Sequence, residues 1–164
     1  MLLLFVLAVL AVVCSEPVVL AAPVNYDDLA LKLCKDDTTF TIHGWWPEYT
    51  EHSWPEFCNR TTFCKFSIND VKELLPQLNK YWYACSEWNI TNEQLWFHEV
   101  NKHASCIPEL SLQNVMMYFA HTLEAYHLAL QSQWFGCCKT NATECLLPFN
   151  KSLNETKWLQ YCHR

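Results

Sequence analysis

The sequence predicts a single α+β domain stapled by disulfides, and three observations predict it. The chain has 164 residues, 51% hydrophobic and 17% charged, which suits one compact domain with its own core. A β-rich segment precedes three segments of helical periodicity, with no internal repeat or linker between them. Ten cysteines are present, a usage that fits an oxidising compartment. Aromatics reach 15% and the net charge is −6, so the chain is neither disordered nor equipped with a broad basic surface.

Residues 1–21 read as a signal peptide. The run MLLLFVLAVLAVVCSEP is apolar, about as long as a signal h-region, and short for a bilayer span of about 20 residues. Small residues permit a cut after Ser15 or after Ala21, and an uncleaved anchor is the alternative. No later stretch is apolar enough to cross a membrane, so the mature chain, 22–164, is expected to be secreted or to reside in the lumen of the secretory or lysosomal pathway. Loss of Cys14 leaves nine cysteines, so one thiol is free or pairs with another chain. Asn59, Asn89, Asn141, Asn150 and Asn154 each head an Asn-x-Ser/Thr sequon and are candidate N-glycan sites.

The segment TTFTIHGWWPEY is β-rich around Phe40 and Ile42 and is expected to leave the strand at Pro47. SINDVKELLPQLNKYW reads as a helix capped by Ser67 or Asn69, with Leu74, Leu75, Leu78 and Trp82 on its apolar face. Pro76 should end or kink its first half. Thr91 with Gln94 three residues on is a capping box for the helix LWFHEVNKH. A longer helix follows, with Leu112, Val115, Met116, Phe119, Leu123, Tyr126 and Leu130 as its core stripe. Beyond Gln131, short strands and loops held by cysteines are expected.

The helix carrying His98, Glu99, Lys102 and His103 holds the chemistry. At about 100° per residue, these four side chains fall within an arc of roughly 140°. Glu99 and His103 are i,i+4 neighbours and should meet. A zinc helix needs its second histidine at i+4, where this chain has the cation Lys102, and no paired CxxC exists, so no metal or other cofactor is expected. Two imidazoles, a carboxylate and an ammonium suit phosphodiester cleavage instead. One imidazole takes a proton from the 2′-hydroxyl, another protonates the leaving 5′-oxygen, and the cation faces the phosphorane oxygens.

A further histidine stands in FTIHGWWPEY. With WFHEVNKHASC, that element resembles the paired signature of the ribonuclease T2 family of secreted acid ribonucleases, IHGLWP and roughly F-W-x-H-E-x-x-K-H-G-T-C. The clear resemblance runs from about Thr39 to Cys106. It implies a central antiparallel sheet flanked by helices and metal-independent cleavage of single-stranded RNA through a 2′,3′-cyclic phosphate. It implies that His43 and His103 are the acid and the base, that His98 binds phosphate, and that Glu99 and Lys102 support the transition state. Trp46 matches the tryptophan that stacks on a base, and Glu48 stands where the family often has an Asp bonded to that base. Cys58 with Cys106, and Cys34 with Cys85, match two family disulfides.

The chain also departs from the family pattern. Trp45 replaces Leu, Val100 an aromatic and Ala104 a Gly; at position 104 a left-handed backbone would cost Ala about 1 kcal/mol. PVNYDDLALKLC lacks the Trp-Pro pair of the family's first strand, and the segment after the long helix is compressed. The alternative function is therefore a catalytically weak or inactive secreted glycoprotein that uses the same scaffold to bind RNA, glycan or a host surface. A truncated product that folds poorly is a third reading.

Overall fold

The computed structural model describes residues 26–48, 54–58, 66–107, 114–132, 138 and 142–149. Residues 1–21, expected to be a signal peptide, four of the five sequons (Asn59, Asn141, Asn150 and Asn154) and four cysteines (Cys14, Cys64, Cys137 and Cys162) lie outside the described residues, and so does the question of the odd thiol.

Three strands form one antiparallel sheet in the order β2-β1-β3: β1 Tyr26–Lys32, β2 Thr41–Glu48 and β3 Glu144–Phe149. Tyr26–Lys32 is the central strand although it lacks the Trp-Pro pair. β2 runs through Pro47 instead of stopping there. Among the described residues it is an edge strand, where a residue without an N–H is tolerated.

Cross-strand partners share a face, so the register sorts the sheet into two. Leu29 pairs with Trp45 and Leu147, and Leu31 with Ile42 and Cys145; all six are buried on the apolar face. Ala30 pairs with Gly44 and Leu146, Asp28 with Trp46, and Lys32 with Glu144, which defines the other, more polar face.

The register slips between Ala30 and Leu31, whose partners are Gly44 and Ile42. His43 is the extra residue of a β-bulge. A bulge turns the side chain of the inserted residue out of strict alternation. Ile42 and Trp45, three positions apart, thereby both reach the core, while His43, Gly44 and Trp46 are left to the other side.

Among the described residues, three α-helices accompany the sheet: α1 Leu75–Tyr81, α2 Asn92–Lys102 and α3 Val115–Gln131. Residues 67–82 are not one helix broken at its proline. Ser67 caps a 3₁₀ turn, Ile68–Val71, in a capping box with Asp70, and Pro76 lies in the first turn of α1, where its missing N–H is not needed. Thr91 and Gln94 make both bonds of the capping box expected for α2.

Helix α3 buries Val115, Tyr118, Phe119, Thr122, Leu123, Ala125, Tyr126 and Ala129, packing on the sheet, on the 3₁₀ turn Ile68–Val71 and on α1. Met116 and Leu130, expected in the stripe, are exposed, because Tyr118 and Thr122 shift the buried arc away from them; Leu112 lies outside the described residues. The edge strand's backbone is not left bare. The Tyr118 hydroxyl accepts from the Trp45 N–H (3.3 Å) and donates to its carbonyl (3.2 Å).

Candidate active site

Buried hydrogen bonds fix β2 against α2. The His43 carbonyl, taken out of ladder pairing by the bulge, accepts from the Trp82 indole N–H at 2.8 Å. The Trp82 carbonyl accepts from the Trp96 indole N–H, also at 2.8 Å. Trp82 and Trp96 are fully buried, and Trp96 belongs to α2.

Glu99 stands where the two elements meet. It is 1% exposed, and its Oε2 accepts from the Trp46 indole N–H at 2.8 Å. His43 Nε2 lies 3.9 Å from its Oε1, and His103 Nε2 lies 4.0 Å from its Oε2. Two imidazoles from separated segments thus flank one carboxyl group, as the i,i+4 spacing of Glu99 and His103 requires for the second.

Gly44 makes the room. A Cβ built there would stand 2.0 Å from Glu99 Oε2 and 2.4 Å from Trp46 Nε1. Space alone demands glycine, since no described glycine has positive φ.

Burial dominates the protonation states. It raises the Glu99 carboxyl to about 7, against the opposing influence of His43, the Trp46 hydrogen bond and Lys102. It lowers His103 to about 2, with the charges of Lys102, His98 and His43 adding to the effect. Glu99 Oε1 and His103 Nδ1 are buried without a hydrogen-bond partner among the described residues. Such groups are rare away from functional sites.

His98 and Lys102 form the outer, more exposed part of the site. His98 is exposed, and partial burial followed by the Lys102 charge lowers its pKa. Lys102 Nζ pairs with Glu56 Oε1 at 3.1 Å, and Glu56 also accepts from the Trp54 indole N–H at 2.9 Å. The Cys58–Cys106 disulfide places that segment. The Phe57 N–H donates to the Lys102 carbonyl at 2.8 Å, and Phe57 has φ 52°, a left-handed backbone unusual for a bulky residue. Its ring stands edge-on to His98 with centroids 6.5 Å apart.

The remaining candidates fall as follows. Cys34 is bonded to Cys85, tying the end of β1 to the turn before α2; a third disulfide, Cys138–Cys145, was not foreseen. Ala104 lies in a right-handed 3₁₀ turn, so the conditional cost at this position does not arise. Trp46 turns one face to His103, and it is half-buried. Glu48 is 5% exposed, and its carboxyl is raised to about 7, chiefly by burial and then by Asp28 and Asp27. It is enclosed at an acidic corner rather than held out to solvent. Asn89 is exposed, at the left-handed cap of a short 3₁₀ turn, a position open to a glycan.

Four site residues had not been singled out. Glu144 Oε1 lies 2.7 Å from His43 Nδ1, and Glu56 holds Lys102. Trp88 is tilted against the His43 ring at 5.0 Å, and Lys32 Nζ lies 5.9 Å from the Trp88 ring centroid. None belongs to a local pattern. Glu144 is 101 positions from its partner, and only the neighbouring Cys145 hinted that its strand is pinned.

The Ribonuclease T2 family model matches residues 2–136. Ribonuclease DdI of Dictyostelium discoideum is 34% identical over 92 residues, covering 56% of this chain and 39% of that protein. Ribonuclease T2 of Homo sapiens is 33% identical over 95 residues, covering 57% of this chain and 34% of that protein. The chain thus spans well under half the length of these relatives. The crystal structure of human RNase T2 superposes with a TM-score of 0.54 at 27% identity, over 68% of this chain and 61% of that one. The crystal structure of RNase NT in complex with 5′-AMP shares the fold, with a TM-score of 0.56 at 18% identity over 87% of this chain and 72% of that one. With paired histidine elements, an antiparallel sheet flanked by helices, and a match over most of its length, the chain belongs to the Ribonuclease T2 family.

Proposed function

We propose that this protein is a secreted, glycosylated endoribonuclease that cleaves single-stranded RNA without a metal ion. The observation that carries the reading is the placement of His43 and His103 within 4.0 Å of one buried carboxyl group, Glu99. His103 takes the proton of the 2′-hydroxyl, and the freed oxygen attacks phosphorus. His43 gives its proton to the departing 5′-oxygen, leaving a 2′,3′-cyclic phosphate. Hydrolysis reverses the two roles, with water in place of the 5′-hydroxyl. Lys102 and His98 meet the phosphorane oxygens from the outer side of α2. Glu99 meets them from within, and at mildly acidic pH its raised pKa keeps a proton on it to donate. Three disulfides among the described residues support an oxidising compartment.

The test is RNA digestion in EDTA by the wild type and by His43→Ala and His103→Ala. Wild-type activity should persist, and each variant should lose roughly 10²–10⁴-fold. Loss of wild-type activity in EDTA, or full activity in either variant, overturns the mechanism.

A second reading, a binding protein without turnover, is favoured by the enclosure of His103, 2% exposed. A folded protein with one sharp calorimetric transition that retains RNA and does not cleave it would select that reading.

A further inference from the structure

We infer that Glu144 is the positioning residue for His43, fixing which ring nitrogen faces the reaction. The inference rests on the endoribonuclease reading for its consequence in rate, but not for its geometry. His43 Nδ1 and Glu144 Oε1 are 2.7 Å apart, the shortest of the polar contacts described at the site. Glu144 opens β3, opposite Lys32 of β1, so the contact reaches across the central strand from one edge of the sheet to the other.

An ionised carboxylate only accepts hydrogen bonds, so the proton of this pair resides on Nδ1. The bond to His43, the largest influence on Glu144, holds its carboxyl below the usual range, which keeps it ionised. With Nδ1 committed to Glu144, Nε2 is the nitrogen left to exchange protons, and it is the one that faces Glu99 at 3.9 Å. Trp46 at 5.1 Å and Trp88 at 5.0 Å bracket the ring, so it does not swing to offer Nδ1 instead.

The strand that brings Glu144 is itself held on both sides. The Leu33 N–H donates to the Thr143 carbonyl at 2.9 Å, and the next residue, Cys145, is bonded to Cys138. Glu144 is 43% exposed, so its replacement opens no cavity in the core.

The experiment uses the full chain carrying Glu144→Ala or Glu144→Gln, read by ¹H–¹⁵N NMR of the imidazoles at a pH where the His43 ring is neutral. The His43 signal is assigned by its disappearance in His43→Ala. The wild type should show the Nδ1–H tautomer. Glu144→Ala should shift the ring toward Nε2–H, with kcat on RNA reduced roughly 10- to 100-fold and KM within about twofold. Glu144→Gln, whose amide oxygen still accepts, should keep the tautomer and lose less. An unchanged ¹⁵N pattern in Glu144→Ala, or a loss confined to thermal stability, overturns the inference. Should the wild type fail to cleave RNA, the functional reading falls while the tautomer measurement still decides the role of Glu144.

Discussion

The Trp46 indole lies flat against the His103 imidazole, ring centroids 4.8 Å apart and planes 19° from parallel, while its N–H binds Glu99. One tryptophan therefore orients both the buried imidazole and the buried carboxyl group.

Trp46→Phe keeps the stacking face and removes the donor. A hydrogen bond to a charged group contributes about 1.5–3 kcal/mol, and that contribution is present only while Glu99 is ionised. The variant should be destabilised more at pH 8 than at pH 5, because the Glu99 carboxyl titrates at about 7. Thermal melts at the two pH values check this. Equal losses at both would show that the indole N–H does not support the carboxylate.

Gly44→Ala places a methyl group 2.0 Å from Glu99 Oε2 and 2.4 Å from Trp46 Nε1, so the carboxyl or the indole must move. Overpacking costs about 1–3 kcal/mol, and a displacement of about 1 Å at the reacting centre costs roughly 10²-fold in rate. Activity should fall far more than stability. A variant cleaving RNA at the wild-type rate would show that the close packing of Gly44 on Glu99 is not needed.

Stability should be higher at pH 5 than at pH 8. Asp28, Glu48 and Glu99 are each raised to about 7 from ordinary values of 3.8 or 4.5, burial being the main cause. Their contribution is complete below the unfolded values and is lost as the pH rises through 7. His103, lowered to about 2, acts oppositely: it favours folding above 6.5 and loses that contribution as the pH falls. His98, also lowered, acts in the same sense as His103, and three carboxyls outweigh the two imidazoles between pH 5 and 8. Glu56 and Glu144, both lowered, are ionised at either pH and do not alter the difference. The melting temperature should drop by several degrees from pH 5 to 8, and Asp28→Asn with Glu48→Gln should flatten the change. A melting temperature that climbs toward pH 8 would mean these carboxyls are solvated.

Glu56→Gln removes the anion 3.1 Å from the Lys102 ammonium. An incoming phosphate then no longer competes with a carboxylate. Inorganic phosphate should inhibit the variant a few-fold more strongly than the wild type at low salt, with the difference shrinking as salt screens the charges. Equal inhibition constants would place the phosphate elsewhere.

The legible parts of the protein are those set by near neighbours. The capping box at Thr91 and Gln94 and the i,i+4 meeting of Glu99 with His103 follow from helical geometry, which a short segment fixes alone. Met116 and Leu130 fit the stripe yet are exposed, because periodicity gives the width of a stripe but not its centre, which depends on what α3 packs against. Residues 67–82 carry an apolar spacing that continues across the turn separating the 3₁₀ segment from α1, so the pattern alone reads as one helix kinked at Pro76. The strand was ended at Pro47 because a proline is disallowed in a central strand, and nothing local marked β2 as an edge.

The sequence by itself determined which groups sit on α2 and on which side of it, and that His43 lies in a strand beside a glycine. Only the tertiary structure decided that His43 is a bulge residue, that Glu144 arrives from 101 positions away to bind it, and that Glu99 and His103 are enclosed. The reason is that helical spacing repeats every few residues, so a short window contains it. Strand register and desolvation are summed over every element packed around a group, and those elements are scattered along the chain.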